Sequence, residues 1–226
     1  MRRLGRWLHR DDSGSLGSSY RWDREKENEV SSREAREESR GVAKLIYSMN
    51  PSLDGFISGP DGNFDWSVPD EELHRFHNEQ TRALGGHLLG RRLYETMVYW
   101  ETAHEDPAMT DYALEFAEIW KALPKVVFSK TLDEVVGNTR LAQGSIAQEV
   151  SELQERSGKD VAIGGAELAG SATKLGLVDE FCLFVNPVVV GGGKPFFPAL
   201  DRTIPLRLED TRTFGGRVVY LRYERA

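Results

Sequence analysis

Thiols are nearly missing from this sequence: Cys182 is its one cysteine. One thiol cannot close a disulfide within the chain, nor build a zinc site of several cysteines. It sits in the apolar run Phe181-Cys182-Leu183-Phe184 and reads as a small buried hydrophobe. Excess positive charge is missing too. The formal net charge is −7, whereas a phosphate backbone or an anionic membrane surface rewards clustered Lys and Arg. Neither nucleic acid nor membrane is an expected partner. Apolar runs such as Val188 to Val190 fall far short of the roughly 20 residues that span a bilayer. Arg2, Arg3, Arg6 and Arg10 lead into no apolar signal segment, and the acidic residues after them argue against organelle import. A cytoplasmic protein is the expectation.

What is present falls into two parts. Residues 1–41 carry ten Lys/Arg and nine Asp/Glu with no apolar stripe. Such a stretch buries too little surface to offset its ordering entropy, so this charged extension should be disordered or a solvated helix. Globular patterning begins at Val42. The chain's 226 residues and 39% hydrophobic content suffice for one core, so residues 42–226 should form one domain.

Apolar runs there alternate with helical stripes. Strands are expected over Lys44–Met49, His87–Leu89, Val126–Phe128, Val161–Ile163 and Phe181–Val190, the last interrupted at Pro187. A helix should begin after Pro69, where Asp70, Glu71 and Glu72 place negative charge against the helix dipole. Others should start near Leu93, carry the stripe Ala113, Phe116, Ala117, Trp120, Leu123, carry Ile146, Val150, Leu153, and run from Ala166 to Leu175. Strand–helix alternation implies parallel crossovers, and Gly215-Gly216 joins two final strands as a hairpin. The fold class expected is α/β: a mixed, mainly parallel sheet flanked by helices, with a C-terminal antiparallel hairpin.

Three strand exits carry candidate chemistry. In Ile163-Gly164-Gly165-Ala166-Glu167-Leu168 a strand ends, two glycines turn the chain and a helix starts. Exposed N–H groups and the helix dipole make an anion site there; a tight turn without ligand is the other reading. Ser171 stands where a Walker loop needs Lys, and no Gly-x-Gly-x-x-Gly occurs at this turn. In Leu89-Gly90-Arg91-Arg92 two guanidiniums follow a glycine; they suit phosphate oxygens or are ordinary solvated charges. Phe128-Ser129-Lys130 offers a hydroxyl and an ammonium. Two phosphate-binding exits on separate strands suit NADPH, with its pyrophosphate and 2′-phosphate. Asp54, Asp70 and Glu71 are candidate proton carriers for reduction of a C=N bond; Asp70 and Glu71 equally complement a helix N-terminus. His74 and His77 lie three apart, but no carboxylate or cysteine pattern completes a metal site. Phe56 and Trp66 read as core or pocket walls.

Taken together, Ser52-Leu53-Asp54-Gly55, Leu89-Gly90-Arg91, Pro124 through Leu132, Gly164-Gly165-Ala166 and Pro187 through Pro195 occur in an order that resembles the dihydrofolate-reductase-like superfamily. The closer resemblance is to stand-alone proteins related to the reductase half of the bifunctional riboflavin-biosynthesis deaminase/reductase. It covers about residues 43–224. The resemblance implies NADPH as hydride donor, with Gly164, Gly165, Ala166, Glu167 and Leu168 at the pyrophosphate. Arg91, Ser129 and Lys130 would meet the 2′-phosphate and adenosine end, with Asn50 and Ile57 near the nicotinamide; Gly90 and Arg92 are further cofactor-binding candidates. Trp66-Ser67-Val68-Pro69-Asp70-Glu71 matches Trp-x-x-Pro-x-Asp/Glu and puts Glu71 in the catalytic acid's role, with Asp54 as the alternative. Phe56 and Trp66 would line the substrate. Leu93 stands where the dihydrofolate-reductase pattern has Thr, and Phe56 where the riboflavin enzyme has Lys. The implied activity is NADPH-dependent reduction of a small pterin- or pyrimidine-like heterocycle. Dihydrofolate reduction and a non-catalytic NADPH-binding module are the alternatives. A homodimer through the C-terminal strands and Val188–Val190 is also implied.

Overall fold

The computed structural model describes residues 43–226, and the expectations for residues 1–41 lie outside that range. Ten strands form: β1 (Leu45–Met49), β2 (Phe56–Ser58), β3 (Gly86–Gly90), β4 (Lys125–Phe128), β5 (Thr139–Leu141), β6 (Val161–Gly164), β7 (Glu180–Val185), β8 (Lys194–Pro195), β9 (Leu206–Phe214) and β10 (Val218–Arg225). The helices are α1 (Glu71–Ala83), α2 (Arg91–Met97), α3 (Asp111–Ala122), α4 (Ile146–Ser157) and α5 (Ala166–Leu175), with three short 3₁₀ turns.

Eight strands make one sheet in the order β5-β4-β3-β6-β1-β7-β10-β9. Every pairing from β5 to β7 is parallel, and β10 runs antiparallel to both β7 and β9. Parallel strands are covered on both faces, so they read as continuous apolar runs. In β6 every residue of Val-Ala-Ile-Gly is buried. In β3, consecutive Leu88 and Leu89 point to opposite faces, and both are fully buried. On one face Leu88, Val126 and Ile163 pack with Val150 and Leu153 of α4 and with Ala169 and Ala172 of α5. On the other, Leu89 and Val127 meet Tyr94 of α2 and Phe116 and Trp120 of α3. Farther along, Phe184 and Tyr220 meet Leu73 and Phe76 of α1. The result is a three-layer α/β arrangement.

Local chemistry sets the element ends. The Asp70 side chain accepts from the Leu73 N–H at 3.0 Å and caps α1. Ser145 and Gln148 form a reciprocal capping box on α4, which ends at Gly158 with φ 64°. The terminal hairpin turns through Gly215, Gly216 and Arg217, between Phe214 and its partner Val218, with both glycines at positive φ. Its tip leans on the start of α1: a Cβ on Gly215 would fall 2.3 Å from Asp70 Oδ2.

Three elements have no counterpart in the expected set: β5, and the small antiparallel pair β2–β8. The strand expected through Val190 stops at Val185. Pro187 has no N–H to donate, and Asn186 turns the chain: its backbone donates to Pro51 O at 2.8 Å and its amide to Phe184 O at 2.9 Å. Val188–Val190 is therefore loop, not a pairing strand. Among the described residues no helix is long and apolar enough to cross a membrane.

Candidate cofactor and substrate site

Parallel strands place their C-terminal ends along one edge, where open α/β sheets bind ligands. Here β4, β3, β6 and β1 are consecutive neighbours, with Gly90 opposite Phe128 and Leu89 opposite Gly164. Ser129, Gly90, Gly164 and Asn50 therefore line up along that edge.

The two glycine turns touch. A Cβ on Gly165, whose φ is +93°, would lie 3.5 Å from both N and Cα of Gly90. One on Gly90 would lie 3.7 Å from Gly164 O and from Leu168 Cβ. One on Gly164 would strike Leu93 at 2.3 Å and approach His87 Nε2 to 3.1 Å. The glycines keep two strand exits at backbone contact, with Ala166 opening α5 beside them. Arg91 and Arg92 follow Gly90 and are exposed; Arg91 also pairs with Glu95 at 3.2 Å. Ser129 Oγ accepts from the N–H groups of Thr131 and Leu132 at 3.1 and 3.0 Å, shaping the β4 exit, and Lys130 is exposed. Asn50 Oδ1 is buried without a hydrogen-bond partner. Ile57 lies half-buried on β2, against the core. A cradle that a side chain would fill, and an orphaned side-chain amide oxygen at the exit of the neighbouring strand β1, are features that fit a dinucleotide.

The candidate carboxylates lie apart, each with its own partners. Glu71 projects from the first turn of α1, with its side chain 60% exposed and held by Arg75 at 2.9 Å. Asp54 is exposed but fully engaged. It accepts from Ser52 Oγ at 2.7 Å, from Val190 N at 3.2 Å and from Gly191 N at 2.7 Å. The Ser52 hydroxyl, with those two N–H groups, holds its carboxyl below the usual range. Asp54 thus ties the loop after β1 to the loop before β8. Phe56 stands opposite Pro195 in the β2–β8 pair. Trp66 lines a groove of about 570 Å³ with Gly59, Pro60, Asp61, Asn63, Asp65 and Val190, and its indole N–H is buried and unpartnered.

Glu167 is 82% exposed in the first turn of α5 and pairs with Lys194 from β8. Lys194, with Arg92 and Arg91 beyond it, holds the Glu167 carboxyl below its ordinary range. Lys194 lies in the Gly191-Gly192-Gly193-Lys194-Pro195 run, but nothing in its own residue type pointed to this edge. The two histidines on α1 are committed elsewhere: His74 Nδ1 bonds Asn78 at 3.1 Å, and His77 lies 4.4 Å from the Phe184 ring. Among the described residues no three His, Cys, Asp or Glu side chains converge on a metal position.

The family model described as RibD C-terminal domain matches residues 43–220. The uncharacterized protein YyaP of Bacillus subtilis (strain 168) is 35% identical over 186 residues, covering 80% of this chain and 94% of that one. The Thermotoga maritima diaminohydroxyphosphoribosylaminopyrimidine deaminase/5-amino-6-(5-phosphoribosylamino)uracil reductase superposes with a TM-score of 0.59 at 14% identity, over 83% of this chain and 58% of that one. A dihydrofolate reductase from Enterococcus faecalis, solved with NADP(H) and RAB-propyl, superposes with a TM-score of 0.51 at 15% identity, over 82% and 96%. The match over residues 43–220 makes this chain a member of the RibD C-terminal domain family, and its sheet is built on the dihydrofolate-reductase-like fold.

Proposed function

We propose that this chain is an NADPH-dependent reductase of a small pterin- or pyrimidine-like heterocycle, of the kind reduced in riboflavin biosynthesis. The observation that carries the reading is the contact between Gly90 and Gly165 at the ends of neighbouring parallel strands. It leaves backbone N–H groups free to face an anion at the start of α5. Gly164 through Leu168 then hold the pyrophosphate. Arg91, Arg92, Ser129 and Lys130 meet the 2′-phosphate and adenosine end, while Asn50 and Ile57 orient the nicotinamide. When bound, NADPH supplies the hydride. Phe56 and Trp66 wall the heterocycle and exclude water from it. Glu71 assists protonation of the reduced C=N bond, with Asp54 second in that role because its oxygens are already occupied.

Titration with NADPH and NADH, followed by nicotinamide fluorescence, tests the cofactor. Turnover with 5-amino-6-(5-phosphoribosylamino)uracil and with dihydrofolate then separates the two substrates, the first being expected. Failure to bind either nucleotide sinks the reading. One observation favours a second reading, a non-catalytic NADPH-binding module: the open, Arg75-bound position of Glu71. In that case NADPH binds, no substrate speeds its oxidation, and Glu71→Gln is silent.

We also propose a homodimer in the cytoplasm. Val219 and Leu221 of β10 stand opposite Val185 and Leu183 of β7, and Val219 and Leu208 remain exposed. An apolar sheet face of this kind is suited to packing against its own copy. A monomer mass by light scattering would remove the dimer.

A further inference from the structure

The segment from Val188 to Phe196 is given no ligand in the reading above, yet its backbone is tied down at several points. Leu53 N donates to Val188 O and Phe196 N to Gly55 O, both at 2.8 Å. Asp54 accepts from Val190 and Gly191 N–H groups, and Lys194 is paired with Ser58. Gly193 sits at φ +122°, and a Cβ there would fall 2.0 Å from Ser58 O, so only glycine fits. That squeeze delivers the next residue, Lys194, onto Glu167 at the opening of α5.

One carboxylate therefore stands among three cationic side chains, Lys194, Arg91 and Arg92, beside the Gly164–Ala166 turn. Glu167 is in the place and carries the sign of charge that a phosphate group would bring. An exposed ion pair is worth little and opens readily. A charge-assisted bond to a doubly charged diphosphate, partly covered by protein, is the stronger one. We propose that Lys194 is a pyrophosphate-binding residue that Glu167 occupies in the free protein, and that a dinucleotide displaces Glu167 and takes over Lys194. The proposal rests on the nucleotide reading of this edge.

The test is a fluorescence titration of the full chain and of Lys194→Met, Lys194→Arg and Glu167→Gln with NADPH and, separately, NADH. Both nucleotides carry the pyrophosphate, so Lys194→Met weakens both about tenfold and Lys194→Arg restores both. Glu167→Gln removes the competitor and tightens both about threefold. Equal affinities across all four proteins overturn the proposal and leave the cofactor reading intact. So does a loss confined to NADPH, which would put Lys194 at the 2′-phosphate. Weakening by Glu167→Gln makes Glu167 an orienting group and ends the exchange idea. Wild-type protein that binds neither nucleotide fails the underlying reading instead. Thermal melting confirms that the exposed variants remain folded.

Discussion

Gly165 and Gly90 meet across the ends of two neighbouring strands: a Cβ on Gly165 would just touch Gly90 N and Cα at 3.5 Å, and what bars a side chain there is the φ of +93°, which L residues rarely adopt. Gly165→Ala should cost about 1–2 kcal/mol of stability through backbone strain. It should also weaken NADPH binding more than tenfold by displacing the cradle. Gly158→Ala is the control, since Gly158 has φ +64° and nothing within 4 Å of its Cβ position. It should lose comparable stability and keep its affinity. Melting curves beside nucleotide titrations read both quantities; equal affinities in the two variants would remove the cradle from cofactor binding.

Arg91 and Lys130 lie at the exits of β3 and β4, on the side of the cradle away from Asn50. Arg91→Gln and Lys130→Met should each weaken NADPH binding about tenfold and leave NADH unchanged. The ratio of the two dissociation constants is the measurement. A loss shared by both nucleotides would contradict a 2′-phosphate role.

Burial lowers two imidazoles. His77, with His74 nearby, and His87, with Lys125 nearby, both fall to about 4. The unfolded chain protonates first, near the ordinary imidazole value of about 6.5. Stability is therefore complete above that pH and is lost as pH falls toward 4, by up to about 3 kcal/mol per histidine. Glu180 acts in the opposite sense, since burial raises its carboxyl, and offsets part of the decline. Urea midpoints should fall between pH 7 and pH 5, and His77→Phe should flatten the slope. An unchanged slope would show that His77 does not titrate with unfolding.

Lys125 is a cation whose side chain is wholly buried. Its ammonium donates to Trp120 O at 2.6 Å and Leu123 O at 3.1 Å, and lies 3.3 Å from Glu101 Oε1. Lys125→Met strands the Glu101 carboxylate and the last carbonyls of α3, so it should cost about 3 kcal/mol or more. Urea unfolding measures this; a cost below about 1 kcal/mol would mean that the pair is no better than a surface one.

The central strands were legible because their physical signature is long and simple. Val161-Ala162-Ile163 and Val126-Val127-Phe128 are apolar on both faces, and a parallel strand buried between helix layers requires that. The glycine exits were legible because a turn from strand to helix needs their freedom. β2 and β5 were not, since Phe56-Ile57-Ser58 and Thr139-Arg140-Leu141 are too short to show a period. Val188–Val190 misled because composition outweighed one proline and one asparagine. Lys194 was part of a recognised run, but its partnership depends on where β8 crosses α5, which no local pattern encodes. Trp66 could be read only as a wall; the buried, unpartnered state of its indole N–H needed coordinates.

The terminal hairpin has a reach that its position in the chain conceals. Gly215 leaves no room for a side chain beside Asp70, and its N–H donates to Glu72 Oε2 at 3.4 Å, so the tip buttresses the turn from which Glu71 projects. In a saturation mutational scan scored by catalysis, Gly215 should cluster with the distant N-terminal half, not with its own neighbours. A fusion partner spliced into that tip would then be felt first as impaired turnover and only later as misfolding.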